Sequence, residues 1–403
     1  MPVSKNTIQN GRKEELQYLY KNSTLDIILN KIEQISQKDL VRQIAFINLS
    51  YMDKLKKGLK SSTNISFQEQ SAKITIDKEL LINTSKSIGD YILDRSIVGE
   101  YKGSVDRTWI GTIEIANMLS FVTAVGNDIY NGNSGIALYL AYLGAVTGEE
   151  KYSKAALESI EPVIKYLDKI SNITHEKIGG FSGICGWFYA LFHIGNLLNN
   201  KKLIDYVKDN IKIIKNFAGI TQNHDIISGY SGALGALLSI HDKTDDESFK
   251  HILIDICLDI YKAINDNIIV LHEKNCITWG KEGYVGYSHG NCGVEPQLMR
   301  LYNIVGNIDI LDTIKKSILY SRCMFDKERK NWKKELSKDD FCYGWCHGAP
   351  GILLSRLMLL QAGYRDEEIM QEIQDAIETT KKHSFGIDYS LCHGDIGNLL
   401  ILK

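Results

Sequence analysis

ISGYSGALGALLSI, residues 227–240, decides how this chain is read. It opens with G-x-x-G, Gly229 and Gly232, and continues as a run that is apolar on nearly every side. A helix apolar all round has no face for water and must be buried on all sides. Glycines at its mouth permit a tight turn and close backbone packing. The same shape appears in YNGNSGIALYLAYLG (130–144), GFSGICGWFYALFHIG (180–195) and YSHGNCGVEPQLMRLY (287–302). It returns in WCHGAPGILLSRLMLL (345–360) and LCHGDIGNLLIL (391–402). The first glycines are Gly132, Gly183, Gly229, Gly290, Gly348 and Gly394, at steps of 51, 46, 61, 58 and 46 residues.

The segments between these runs have a different pattern. LIDYVKDNIKIIKNF (203–217) sets Ile204, Val207, Ile211 and Ile214 on one stripe, with lysines on the other side. KYSKAALESIEPVIKYL (151–167) does the same with Leu157, Ile160, Ile164 and Leu167. These are outer helices, apolar inward and charged outward. Outer helix, loop, glycine turn and inner helix, repeated six times, predict an all-α fold, an α/α toroid. The glycine-marked helix starts then open on one end of the barrel. That end collects a loop from every repeat and is where a site is expected. In the first three repeats G-x-x-G reads as a packing device.

Residues 25–59 are expected to be helical, with Ser36-x-x-Asp39 as an N-terminal capping signal. TWIGTIEI (108–115) and MLSFVTAV (118–125) are rich in β-formers and predict a small hairpin at the barrel rim. The expected organisation is an N-terminal helical linker over 1–95 and the toroid over 96–403. Length alone, at about 150 residues per domain, would suggest two or three domains, but a repeat overrides that prior.

Composition narrows the function classes. The net charge is −2 and the charges are scattered, so neither a nucleic-acid stripe nor a polybasic membrane patch is present. MPVSKNTIQNGRKEEL lacks the apolar region of a signal peptide. The longest apolar run, near GIALYLAYLGAV (135–146), is too short for a bilayer. A soluble cytoplasmic protein is expected. Eight cysteines in 403 residues is not the density of a disulfide scaffold. In a reducing compartment, cysteines beside histidines read as metal or catalytic candidates.

Those pairs lie in the last three repeats. The residue before the first glycine becomes histidine in Ser288-His289-Gly290, Cys346-His347-Gly348 and Cys392-His393-Gly394. Superposed repeats bring two cysteines and up to three histidines to the barrel mouth. Zinc suits thiolate and imidazole in tetrahedral geometry, and catalytic sites keep one position open. Cys346, Cys392 and one of the histidines make such a set, and the residues alone do not choose which histidine. Cys292 and Cys342, close by in sequence, remain alternatives. A lone cysteine or histidine in a helical protein is more often structural. Cys185, Cys257, Cys276, Cys323, His193, His241, His251 and His272 are read as core.

At these residues the chain resembles the lanthionine synthetase C-like cyclases. It resembles more closely the cyclase half of class II lanthipeptide synthetases, the fused dehydratase–cyclase enzymes. The matching stretches are NDIYNGNSGIALYLAYLGAVTGEEKY (127–152), HDIISGYSGALGALL (224–238), SHG (288–290), GWCHGAPGI (344–352) and LCHG (391–394). DLVRQIAFINLSYM (39–52) is similar to the segment preceding the cyclase in those enzymes.

The resemblance implies a single zinc ion on Cys346, Cys392 and His393, and a proton-moving histidine at His289. It also implies an aspartate near the site, Asp225, which is the exception among the first three turns. His347 stands where some relatives have tyrosine and would line the site. Cys342 stands where some members carry arginine. The implied reaction adds a cysteine thiolate to dehydroalanine or dehydrobutyrine and forms a lanthionine or methyllanthionine thioether. His289 would protonate the resulting enolate at Cα. His224 would assist or sit in an exposed loop. The implied partners are a dehydrated precursor peptide and a dehydratase domain or protein, with no nucleic acid, and the chain is expected to be a monomer. The family toroid has a seventh repeat after LCHG, so the chain reads as truncated at its C-terminus. Pro296 is expected to disturb the fourth inner helix.

Rival readings fit less of the chain. HGDIGN (393–398) resembles a phosphotransferase loop with Asp as base and Asn on Mg²⁺, but no strand-bound lysine or Gly-rich phosphate loop accompanies it. A glycoside hydrolase would use Asp225 and Asp395 as paired carboxylates and would leave the Cys/His set without a purpose. A zinc-containing peptide-binding module or inactive synthetase fragment is the non-catalytic alternative. A zinc enzyme adding free thiols such as glutathione would carry the same site.

Overall fold

The computed structural model describes residues 23–58, 77–101, 103–115, 119–170, 177–386 and 388–403. They divide into two units, one within Met1–Ser62 and Ile110–Thr123, the other within Thr63–Trp109 and Ala124–Lys403.

The smaller unit contains helices Thr24–Glu33 and Gln37–Gly58. The expected capping signal is present, and a second helix starts after Ser36. The Asp39 N–H donates to Ser36 Oγ at 3.2 Å, and the Ser36 N–H donates to Asp39 Oδ2 at 3.1 Å. Ser23 and Asp26 form the same reciprocal box one helix earlier. Two capping boxes mark two helix starts. The predicted hairpin forms from strands Ile110–Ile115 and Leu119–Ala124.

In the larger unit, helix Lys78–Asp94 is held by side chains from beyond residue 95. Trp109 Nε1–H donates to the Ile92 carbonyl at 2.7 Å, and the Tyr139 hydroxyl donates to the Ser85 carbonyl at 2.7 Å. A hairpin not foreseen from sequence pairs Ile97–Tyr101 with Ser104–Thr108. Its Arg107 and Asp106 bind Glu158 and Lys165 of an outer helix at 2.7 and 3.0 Å.

Six inner helices follow: Asn133–Thr147, Ile184–Leu197, Tyr230–His241, Asn291–Val305, Ala349–Gln361 and Asp395–Leu402. Each packs against the next inner helix, and each of the first five against the outer helix that follows it. The outer helices are Glu150–Leu167, Lys201–Asn210, Glu247–Asp266, Ile308–Cys323 and Ile369–His383. This is the α/α toroid. In the second inner helix eleven of fourteen residues are buried, as an all-apolar pattern requires. In the outer helix Glu150–Leu167, Ile160, Val163 and Leu167 are buried. The next outer segment tightens to a 3₁₀ helix over Ile211–Phe217. Its buried residues Ile211, Ile214 and Phe217 recur every third position, the period of a 3₁₀ turn. The fourth inner helix continues through Pro296. Among the described residues no helix is long and apolar enough to cross a membrane.

Three of the five outer helices start on side-chain caps, Asn200, Asp246 and Asn307. The inner helices do not. All six start on the first glycine of G-x-x-G, without a side-chain cap. In five of the six, the first N–H is satisfied by the backbone of the loop folding back. Asn133, Ile184, Tyr230, Asn291 and Asp395 donate to the carbonyls of Gly126, Lys177, Asn223, Tyr284 and Asp388 at 2.8–3.1 Å. Helix-start donors need partners, and here the turn supplies them.

Candidate active site

The six glycine turns are joined to one another in sequence order. The N–H of Tyr130 donates to the Phe181 carbonyl at 3.0 Å, and that of Phe181 to Ile227 at 3.0 Å. The Ile226 N–H donates to Ser288 at 2.9 Å, and the Ser288 N–H to Cys346 at 3.1 Å. Trp345 Nε1–H reaches the Leu391 carbonyl at 2.8 Å. Equivalent positions of each turn therefore come together at one end of the barrel. Two residues before the first glycine stand Tyr130, Phe181, Ile227, Ser288, Cys346 and Cys392. One residue before it stand Asn131, Ser182, Ser228, His289, His347 and His393.

Turns three, four and five bring Asp225, His289 and His347 together. His289 Nδ1 lies 2.9 Å from Asp225 Oδ2. Burial would raise the Asp225 carboxyl, but the hydrogen bonds from His289 and the Ser228 N–H hold it below the usual range. A carboxylate on Nδ1 leaves Nε2 as the nitrogen that gives or takes a proton. The His347 ring stacks on His289 at 5.0 Å between centroids. Burial, then the nearby His289, push His347 down to about 4. His224 is buried, not an exposed loop residue. It lies against Tyr230 and Trp279, and burial pushes it down to about 4. His224, Asp225, Trp279, Tyr284 and His289 line a cavity of about 350 Å³.

Turns five and six carry the thiols. The Cys342 and Cys346 side chains share a hydrogen bond, which draws Cys342 down to about 6 and pushes Cys346 up. Cys392 lies close enough to raise Cys346 further. The Tyr130 hydroxyl is 3.1 Å from Cys392 Sγ. That contact pushes Tyr130 up to about 12. His393 is exposed, and its backbone N–H donates to Ser390 Oγ at 3.4 Å. Two soft thiols with an imidazole on the next residue are the donor types that zinc takes. As they stand, no three His, Cys, Asp or Glu side chains among the described residues close on one point. Below the turns, a largely apolar cavity of about 570 Å³ opens between Phe181, Tyr287, Trp345 and Leu391.

The remaining candidates separate. Cys292 is buried beside Glu295 and Arg356, in the wall of the barrel. Cys185, Cys257, Cys276 and His193 are buried as expected. Cys323, His251 and His272 are exposed, because each falls on an outward face or loop; His241 is half-buried. Asp395 accepts the Gly386 N–H at 2.9 Å, and Asn398 donates to the Ser384 carbonyl at 2.7 Å. Both residues of HGDIGN thus hold the loop, which removes the basis for a phosphotransferase or paired-carboxylate site. Tyr130 was not singled out from sequence. Its signal was its repeat position, shared with Cys346 and Cys392.

Residues 123–403 match the family model described as lanthionine synthetase C-like protein. The chain is 23% identical over 422 residues to the lacticin 481/lactococcin biosynthesis protein LcnDR2 of Lactococcus lactis subsp. lactis. The match covers 100% of this chain and 42% of that protein, so the chain spans less than half of that relative's length. It is 28% identical over 306 residues to the nisin biosynthesis protein NisC of the same subspecies, covering 66% of this chain and 70% of the relative. Among solved structures it is similar to nisin cyclase, with a TM-score of 0.54, 22% identity and 81% of each chain covered. That likeness is one of fold.

Proposed function

The chain belongs to the lanthionine synthetase C-like family, and from that premise we propose that it is a lanthionine-forming cyclase acting on a dehydrated precursor peptide in the cytoplasm. The observation that carries this is the His289–Asp225 pair, on the turn joined by hydrogen bonds to the one bearing Cys346. An acid–base group and a thiol centre at one barrel mouth suit addition of a thiol to an activated alkene. The printed names of the relatives tie them to lacticin 481/lactococcin and nisin biosynthesis.

Cys346, Cys392 and His393 are the residues that would hold zinc. Bound there, zinc would supply Lewis acidity that turns a substrate thiol into a thiolate near neutral pH. The peptide thiol loses its proton to solvent, and its sulfur forms a bond to Cβ of the dehydro residue. The Cα=Cβ π pair moves to the enolate, and His289 Nε2–H returns a proton to Cα. Asp225, 2.9 Å from its Nδ1, orients that imidazole. His347, stacked on His289 and kept neutral by burial, lines the proton-transfer side. The cavity below Trp345 and Leu391 is suited to apolar side chains of the peptide.

The test begins with zinc content of the full chain and of Cys346→Ala and Cys392→Ala. About one zinc per wild-type chain is expected, lost in both variants with the helical circular dichroism retained. A synthetic peptide with one dehydroalanine and one cysteine is then the substrate. Cyclisation leaves its mass unchanged but removes its reactivity to iodoacetamide. His289→Ala should slow cyclisation by about 10²–10⁴-fold with zinc content unchanged. A well-folded wild type without zinc would overturn the metal assignment. Bound zinc with peptide binding but no thioether would instead support a peptide-binding module.

A further inference from the structure

We propose that Tyr130 is a positioning residue of the thiol centre: its hydroxyl donates a hydrogen bond to Cys392 and sets the donor strength and orientation of that sulfur. This rests on the zinc reading above and goes beyond it, since it assigns a role to the first repeat, which contributes no ligand.

Two independent observations carry it. The Tyr130 hydroxyl lies 3.1 Å from Cys392 Sγ across 262 residues of sequence. Tyr130 also occupies the turn position filled by Cys346 and Cys392, two residues before the first glycine. Its backbone is fixed there by the N–H donated to the Phe181 carbonyl. The backbone ladder runs from turn one to turn five, and Trp345 carries it to turn six. The phenol links turn six back to turn one. Cys392 itself sits on a short loop whose neighbour His393 is exposed, and the Tyr130 hydroxyl is a side-chain partner of its sulfur.

The chemistry gives the link a purpose. Cys346, Cys392 and an incoming peptide sulfur would place three thiolates around one dication, a net negative centre. A hydrogen bond donated to a ligand sulfur withdraws charge from it and weakens its donation. The remaining electron demand then falls on the other sulfurs, including the substrate's. The phenol is placed to be that donor, with its oxygen 3.1 Å from Cys392 Sγ.

Tyr130→Phe removes the hydroxyl and keeps the ring. Cobalt(II) replaces zinc in the full chain, and the sulfur-to-cobalt charge-transfer band is recorded for wild type and variant. The expected result is a shift to lower energy in Tyr130→Phe, at unchanged metal content and band intensity, with slower metal loss to a chelator. A hydroxyl that only braced the fold would leave the band where it was, and superimposable spectra would overturn the proposal. If the wild type takes up no cobalt, the zinc reading fails, and the thiol contact is decided on the metal-free chain. Iodoacetamide alkylation at about pH 9, above the ordinary cysteine pKa, is then mapped by peptide. Tyr130→Phe should accelerate Cys392 severalfold and leave Cys346 unchanged. Equal acceleration of both, or none, would sink the assignment.

Discussion

His224 couples the site to proton concentration through one buried ring. It is 7% exposed, and its Nδ1 has no hydrogen-bond partner. Burial lowers its pKa to about 4, with the neighbouring Asp225 opposing. A folded-state pKa below the unfolded value means that the unfolded chain takes up the proton first as pH falls. The stability held by neutral His224 is therefore complete above the unfolded pKa of about 6.5 and is lost as pH falls towards 4. That difference amounts to about 3 kcal/mol by pH 4. Urea midpoints for wild type and His224→Phe between pH 7 and pH 4 test it. The wild type should lose stability more steeply, and parallel curves would refute it. The sequence placed this histidine beside Asp225 but not its burial, since the covering rings of Tyr230 and Trp279 come from a helix and a loop further along the chain.

At the scale of the element, the second glycine of each turn matters for space. A Cβ on Gly293 would strike the Tyr287 carbonyl oxygen and lie 2.7 Å from Ile226 Cγ1. The equivalent glycines meet the carbonyls of Ile129, Gly180, Ile226, Trp345 and Leu391 in the same way. Gly306 is the opposite case: its φ is +69°, but a Cβ there meets nothing within 4 Å. Gly306→Ala should cost about 1 kcal/mol for the left-handed backbone. Gly293→Ala should cost more, about 1–3 kcal/mol or above, because neither backbone can yield alone. Chemical denaturation of the two variants ranks them, and the reverse order would contradict the close-packed turn. The G-x-x-G spacing was readable in the sequence; that both glycines serve a backbone-capped helix start was not.

At the scale of the whole molecule, repeats four and five are locked by buried charge. Arg356 is wholly buried within the largely apolar helix Ala349–Gln361. It pairs with Glu295 of the neighbouring inner helix at 2.5 Å and with Glu372 of an outer helix at 3.0 Å. Glu372 also meets Arg322 at 3.2 Å. These contacts tie together the helices that begin after His289 and after His347, and so hold the two stacked rings in register. Arg356→Met leaves Glu295 buried without its cation and should cost about 3–5 kcal/mol. Arg356→Met with Glu295→Leu should recover part of that loss. Denaturant midpoints that do not move in the single variant would show the network to be dispensable.

By itself the sequence determined the toroid, its six inner helix starts and the cysteines and histidines beside them. Those features are periodic: all-apolar runs demand full burial, striped segments demand one buried face, and both are written in local order. The tertiary structure alone decided which side chains meet. Tyr130 and Cys392, Asp225 and His289, Arg356 and Glu295 are each more than sixty residues apart, and nothing in the local pattern of either partner names the other. Their pairing follows from closing the repeats side by side, which brings equal turn positions together whatever residue each repeat carries there.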